Sequence, residues 1–305
     1  MLYNYLGRLD QELNTFTLLM LKFTSTQSED HKKAQNISLK NFLNKIIGNR
    51  FSLPQDVVEY NKKRAFVEQY VQTTIRPLLP NPSILESTTV GVGYFQGLKF
   101  GELLNLQAGI VQKLFGVYEV ELTDELKTLE ARKYDWIINI GAAEGLYSMA
   151  FSNIWKNIPV YSFEQDFCTR QLLKQMIKLN ETPNVITLGE FNLSDVSGLA
   201  KKGKGLIFSD CEGYEKVLFS SETANCFENH DLVVETHDHL VQGSHQGVAD
   251  SLSKSHSVKN IDQLTLQPRC ERVADEQFRK LDVDTQCKLL DESRHIKNSW
   301  IIALS

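Results

Sequence analysis

Asp135-Trp136-Ile137-Ile138-Asn139-Ile140-Gly141-Ala142-Ala143-Glu144-Gly145-Leu146-Tyr147-Ser148 decides how this chain is read. It opens on Trp136 to Ile140, a short apolar run of the kind that forms a strand buried on both faces. The small residues after Asn139 let the backbone turn sharply and approach a ligand. From Gly145 the pattern becomes helical through Ile154, and a helix starting there turns its first N–H groups toward the turn.

Downstream, the alternation repeats. Apolar runs at Val160 to Phe163, Val185 to Leu188, Gly205 to Phe208 and Asp231 to Glu235 read as strands. Helical stretches separate them, at Cys168 to Leu179 and from Tyr214. Such a rhythm gives an α/β fold, a parallel sheet covered on both faces with right-handed crossovers. Thr265 and Trp300 to Leu304 are expected to supply two final strands, and Gln242 to His256 reads either as a mobile loop or lid leading into a weak helix or as a plain surface connection.

Upstream, Thr88 to Leu103 suggests a hairpin turning at Gln96-Gly97. A helix is expected over Leu106 to Leu114, and Thr123 is placed to cap another. Residues 1 to about 85 read as helical, and Pro77, Pro80 and Pro82 read as a linker. The division expected is therefore a helical N-terminal region over 1–86 and an α/β domain over 87–305. Leu2, Leu6, Leu9, Leu13, Phe16, Met20 and Phe23 form a heptad-like stripe, which either packs on its own domain or makes a homodimer.

The 305 residues carry a formal net charge of −5, which gives no global reason to bind nucleic acid. No run reaches the length needed to span a membrane. Five widely spaced cysteines without a CxxC fit reduced thiols rather than a disulfide framework or a zinc site. The expectation is a soluble, cytoplasmic protein.

Ligands of an open parallel sheet bind beyond the carboxyl ends of its strands, so the residues after each apolar run matter most. The first group is Asn139 to Ser148. The second is Phe163-Glu164-Gln165-Asp166, where Glu164 comes 23 residues after Gly141 and can accept hydrogen bonds from ribose hydroxyls of any adenosine cofactor. Ser209-Asp210-Cys211-Glu212-Gly213-Tyr214-Glu215 is the third; a helix N-terminus accounts for Glu212 and Glu215 but not for Asp210 at the strand tip. The fourth, Val233-Val234-Glu235-Thr236-His237-Asp238-His239, offers His237 as a base oriented by Asp238 or Glu235. With Asp210 and Glu235 it also offers a metal site, a weaker reading than the base, and a satisfied structural histidine is the third.

In order and spacing the four groups resemble class I S-adenosylmethionine-dependent methyltransferases, and more narrowly the FkbM family. That family reads D-x-G-A-x-x-G, then F-E-P, D-x-E-G-x-E and E-x-H. Here the corresponding residues are Asn139-Ile140-Gly141-Ala142-Ala143-Glu144-Gly145, Phe163-Glu164-Gln165, Asp210-Cys211-Glu212-Gly213-Tyr214-Glu215 and Glu235-Thr236-His237. Asn139 replaces the usual acid and Gln165 the usual proline. The similarity covers about residues 110 to 240.

The resemblance implies a Rossmann-like seven-stranded sheet whose last strand is antiparallel. It also implies O-methylation of a hydroxyl on a sugar, glycan or natural product, with S-adenosyl-L-methionine as cofactor. By motif position Asn139, Gly141, Ala142, Glu144, Gly145 and Ser148 would hold the cofactor's amino-acid end. Glu164, beside Gln165, would hold the ribose, and Glu190 and Phe191 would lie near the adenine. Tyr118 and Glu119 would close over the ligand, with Asp210 beside it. His237, Asp238 and Asp210 would act on the acceptor. A nicotinamide-dependent oxidoreductase stands against this reading, but Ala143 and Leu146 occupy the places of the second and third glycines of its GxGxxG. A catalytically inactive, methyltransferase-like binding protein stands against it too, kept open by Asn139.

Overall fold

In the computed structural model the described residues are 55–103, 109–291 and 298–305. The expected N-terminal stripe, and with it the homodimer, lies outside them. The chain divides after Val58 into two units, and the second, from Glu59 onward, carries the sheet and its helices.

Seven strands form one sheet: β1 (Trp136–Ile140), β2 (Val160–Phe163), β3 (Val185–Leu188), β4 (Gly205–Ser209), β5 (Asp231–Thr236), β6 (Ser257–Asp262) and β7 (Ser299–Leu304). Their order is β3-β2-β1-β4-β5-β7-β6. The first five are parallel, and β7 runs antiparallel to both β5 and β6. This is the Rossmann-like methyltransferase sheet. The chain reverses direction on either side of β1 and β4, which leaves a crevice beyond their carboxyl ends.

Alternate residues of the central strands feed two cores. Ile137, Leu206, Phe208, Val233 and Trp300 pack on one face; Trp136, Ile138, Ile207, Leu232 and Ile301 pack on the other. Each fully buried side chain of this size contributes about 1.5–3 kcal/mol by leaving water. The helices facing these cores include α1 (Leu146–Ile154), α2 (Phe167–Leu179), α3 (Leu193–Ala200) and α4 (Ser244–Leu252). Asp166 caps α2 by accepting the Thr169 N–H at 2.7 Å.

Several expectations are corrected. The penultimate strand is β6, not a strand near Thr265. Its sequence Ser-Val-Lys-Asn-Ile-Asp lies at the sheet edge with mostly exposed side chains, so it carries no apolar run to betray it. Gln242 to His256 is mostly the helix expected at its end: α4 fills much of it and buries Val248 and Leu252, leaving little loop. The Thr88 to Leu103 segment does fold back on itself as a short, minimal hairpin. Thr89 bridges Lys99, and the Phe100 N–H donates to the Thr88 carbonyl and the Val90 N–H to the Leu98 carbonyl, each at 2.9 Å; the chain also approaches the turn at Gly116, where a Cβ on Gly93 would lie 2.5 Å from the Gly116 carbonyl oxygen. Thr123 is the first residue of its helix rather than the cap. The helix before it covers Ile110–Leu114; residues 104–108 are outside the described set. The proline-rich stretch is no bare linker, since Leu79 and Leu85 are buried in the main core. None of the five cysteines forms a disulfide. Among the described residues no helix is long and apolar enough to cross a membrane.

Candidate active site

Parallel registration brings the four strand tips together. Ile140 of β1 sits opposite Phe163 of β2 and Ser209 of β4, and Ser209 sits opposite Val234 of β5. The residues just beyond these positions therefore share one edge. Gly141 has φ +73°, and a Cβ there would lie 1.7 Å from the carbonyl oxygen of Asp210. Only glycine lets the two strand ends approach so closely.

Beyond Gly141 the loop is held largely by its own backbone and by Glu164. Gly141 and Ala142 donate their N–H groups to the Phe163 carbonyl, each at 2.9 Å. The Glu164 carboxylate accepts the N–H of Ala143 at 3.0 Å and of Asp166 at 2.8 Å. Burial holds the Glu164 pKa above its ordinary value in spite of these donors. Gly141, Ala143 and Glu164 remain partly open to solvent, and Gln165 is exposed.

The other polar residues expected around this loop turn into the protein. Asn139 donates from Nδ2 to Ser148 Oγ at 2.9 Å, and Ser162 Oγ donates to Ser148 Oγ at 2.8 Å. Asn139 and Ser148 are both buried, so they fasten α1 to β1 and β2. Glu144 is buried in an ion pair with Lys113 at 2.7 Å, a partner with no visible signal in the sequence. Lys113 also stands 4.8 Å from the Tyr118 ring. Glu119, buried, accepts the Tyr147 hydroxyl. After β3, Glu190 is exposed, and the Phe191 ring meets Phe163 edge-on at 5.1 Å.

Across Gly141 lies a different environment. His237, just past β5, is completely buried. Its Nδ1 is 2.7 Å from Glu215 Oε1. Its Nε2 has no hydrogen-bond partner and lies 3.5 Å from Asp210 Oδ1, 3.5 Å from Glu212 Oε2 and 3.7 Å from Glu235 Oε2. The carboxylate that orients His237 is thus Glu215, where Asp238 or Glu235 was expected. Asp238 instead accepts the His245 N–H at 2.7 Å near the start of α4 and is exposed. The sequence carried a partial signal for Glu215 in its third acidic group, but helix charge compensation explained it equally well there. The turn that aims Glu212 inward takes φ +50° at Glu212 and +99° at Gly213, and the Gly213 N–H donates to Glu215 at 3.0 Å.

Electrostatics depend on the packing. Burial by itself would lower the His237 pKa, but the hydrogen bond to Glu215 and the charges of Asp210, Glu215 and Glu212 raise it overall. Burial would raise Glu215, but bonds to His237 and to the Gly213 N–H bring it below the ordinary value. Glu235 is held well above the usual carboxylate range by burial, with Asp210 and Glu119 adding to it. Burial pushes the Cys211 thiol up to about 12, which leaves it protonated and a poor nucleophile.

The fold and these strand tips define an α/β protein with a Rossmann-like seven-stranded sheet. No family model matches the chain, and no curated protein matches it. Among solved structures it is similar to precorrin-6y C5,15-methyltransferase from Geobacter metallireducens, at 14% identity and TM-score 0.42, over 61% of this chain and 88% of that one. It is also similar to TYW2 from M. jannaschii in complex with AdoMet, at 11% identity and TM-score 0.35, over 61% and 76%. A SAM-dependent O-methyltransferase from Thermotoga maritima is similar at 10% identity and TM-score 0.38, over 61% and 65%. Likenesses this remote leave the chemistry to be read from the crevice itself.

Proposed function

We propose that this chain is an S-adenosyl-L-methionine-dependent methyltransferase of the FkbM type that methylates a hydroxyl oxygen of a sugar, glycan or other small-molecule acceptor. The observation that carries the reading is the convergence of Gly141, Glu164 and Asp210 at neighbouring parallel strand tips, with a backbone approach at Gly141 that a Cβ would block.

The residues present suit such a cofactor. The loop from Gly141 to Gly145 presents backbone and no bulky side chain at its partly open positions, and Glu164 places a carboxylate at the tip of β2 where ribose hydroxyls can donate to it. Glu190 and Phe191 come after β3, on the adenine side, and Tyr118 and Glu119 precede β1. Asn139, Ser148 and Glu144 act from behind, by fixing the loop and the start of α1. The bound cofactor supplies an electrophilic sulfonium methyl group. The protein's share is to hold the acceptor in line with it and to draw off the hydroxyl proton. His237, steadied by Glu215 and flanked by Asp210 and Glu235, acts on that hydroxyl. Asp238 contributes by anchoring α4 beside it.

Calorimetry on the intact chain tests this. S-adenosylhomocysteine is expected to bind with one site per chain, and NAD and NADP are expected to give no heat. Binding of NAD in place of the homocysteine ligand would overturn the reading in favour of an oxidoreductase.

A further inference from the structure

His237 is fully buried and its Nε2 lacks a hydrogen-bond partner, a costly arrangement unless something else occupies that edge of the ring. What surrounds it is carboxylate: one atom each from Asp210, Glu212 and His237 lie within 4.8 Å of one another. The geometry points to a divalent-cation site formed by His237 Nε2, Asp210 and Glu212, with Glu235 at its margin and Glu215 as the residue that positions the imidazole.

Three features support the assignment. First, the spacing is that of ligands sharing one ion. Donor atoms each about 2.1 Å from a cation stand roughly 3.0–3.4 Å apart at ordinary ligand angles. Asp210 Oδ1 and Glu212 Oε2 each stand 3.5 Å from Nε2, long for a hydrogen bond and suited to a shared ion after a slight contraction. Second, the far side of the imidazole is already tied down. Glu215 lies 2.7 Å from Nδ1, so with the proton on Nδ1 the Nε2 lone pair turns toward the two carboxylates. A carboxylate, histidine and metal in line is the usual way proteins fix a ligand tautomer. Third, the charge needs a cation. Among the described residues Glu212 and Glu215 pair with His237 and with no lysine or arginine.

One nitrogen and two carboxylate oxygens favour a first-row transition ion such as Mn²⁺ or Fe²⁺ over Mg²⁺ or Ca²⁺, which prefer oxygen alone. Glu212 is two-thirds exposed, so further positions open toward the crevice and the acceptor. The binding site stands on these residues by themselves. Its role rests on the methyl-transfer reading: the ion would hold the acceptor oxygen and lower its pKa, so that His237 acts on the hydroxyl through the ion and not as its base. That oxygen then forms the new bond to the methyl carbon, the carbon–sulfur bond breaks with its electron pair left on sulfur, and the hydroxyl proton passes to solvent.

The test uses the full chain, stripped by a chelator and titrated with Mn²⁺. One ion per chain is expected, with nitrogen modulation in pulsed electron paramagnetic resonance. His237→Ala and Asp210→Asn should each weaken binding at least tenfold, and Glu215→Gln about tenfold. Because His237→Ala strips Glu215 of its partner and can unfold the chain, Glu212→Gln provides an exposed substitution that should remove a ligand and leave the melting temperature in place. Glu164→Ala should retain the ion while losing the homocysteine ligand, which separates failure of this proposal from failure of the cofactor reading. Absence of Mn²⁺ binding at millimolar concentration, binding without nitrogen modulation, or binding indifferent to Glu212→Gln would each overturn the site.

Discussion

The two ends of β5 carry buried acids in opposite electrical circumstances. At the amino end Asp231 is fully paired: Arg132 Nε at 2.6 Å, Lys204 Nζ at 3.0 Å and the Tyr134 hydroxyl at 2.8 Å converge on it, and the Ser305 N–H donates as well. Burial would raise its pKa, but these partners bring it below the ordinary value. At the carboxyl end Glu235 receives the Asn298 amide at 2.8 Å and otherwise faces His237 and further carboxylates. A sheet built for stability alone has no reason to give one buried acid two cationic partners and the other none but a histidine. The uncompensated end is also where the strand tips converge, and perturbed, underpaired acids gather where chemistry is done.

That contrast can be attacked by substitution. The largest effect is expected from Asp231→Ala, which should cost on the order of 2–4 kcal/mol in denaturant melts by orphaning Tyr134 and the Ser305 N–H; Arg132 and Lys204 reach water and recover part of the loss. Gly141→Ala comes next, at about 2–3 kcal/mol, because a left-handed residue and a backbone collision must both be relieved. An unchanged melting curve there would mean that the two halves of the crevice are not tightly joined. Glu164→Ala should cost about 1–2 kcal/mol in stability, because the Ala143 and Asp166 N–H groups lose their acceptor, and weaken S-adenosylhomocysteine binding by about ten- to a hundredfold, the loss of one or two hydrogen bonds to a charged acceptor. The smallest effect belongs to Glu235→Gln. Since the acid is held above its usual range, its neutral isostere should change stability by less than about 1 kcal/mol, and a large loss would show that Glu235 is a paired, structural acid after all.

Acid titration sharpens the same comparison. Asp231 has a lowered pKa in the folded state, so its contribution is fully present above the ordinary value of 3.8 and is lost as pH falls through the lower folded value. Thermal melts over that interval should steepen in the parent chain and flatten in Asp231→Asn.

Periodicity made the parallel strands legible, because a strand buried on both faces is a run of apolar residues and little else. Trp136–Ile140, Val160–Phe163 and Val185–Leu188 were readable to the residue. The edge strand β6 was not, since exposure on an edge leaves no apolar signature, and the extent of α4 was blurred by its glycine and serines. In the crevice, Gly141, Glu164, Asp210 and His237 stood out because each comes directly after a strand. Their partners did not. Lys113 and Glu144 are 31 residues apart, and Glu215 and His237 are 22 apart; no local pattern records such a meeting.

The order of apolar runs and turns by itself determined a doubly covered parallel sheet and which chain segments end at its ligand-binding edge, because both depend on short-range alternation. Which side chains face the crevice, which turn inward as fasteners, and which acids go without a cation were decided only when distant segments packed. Contact between them depends on the path of the whole backbone, and burial sets the electrostatic consequence.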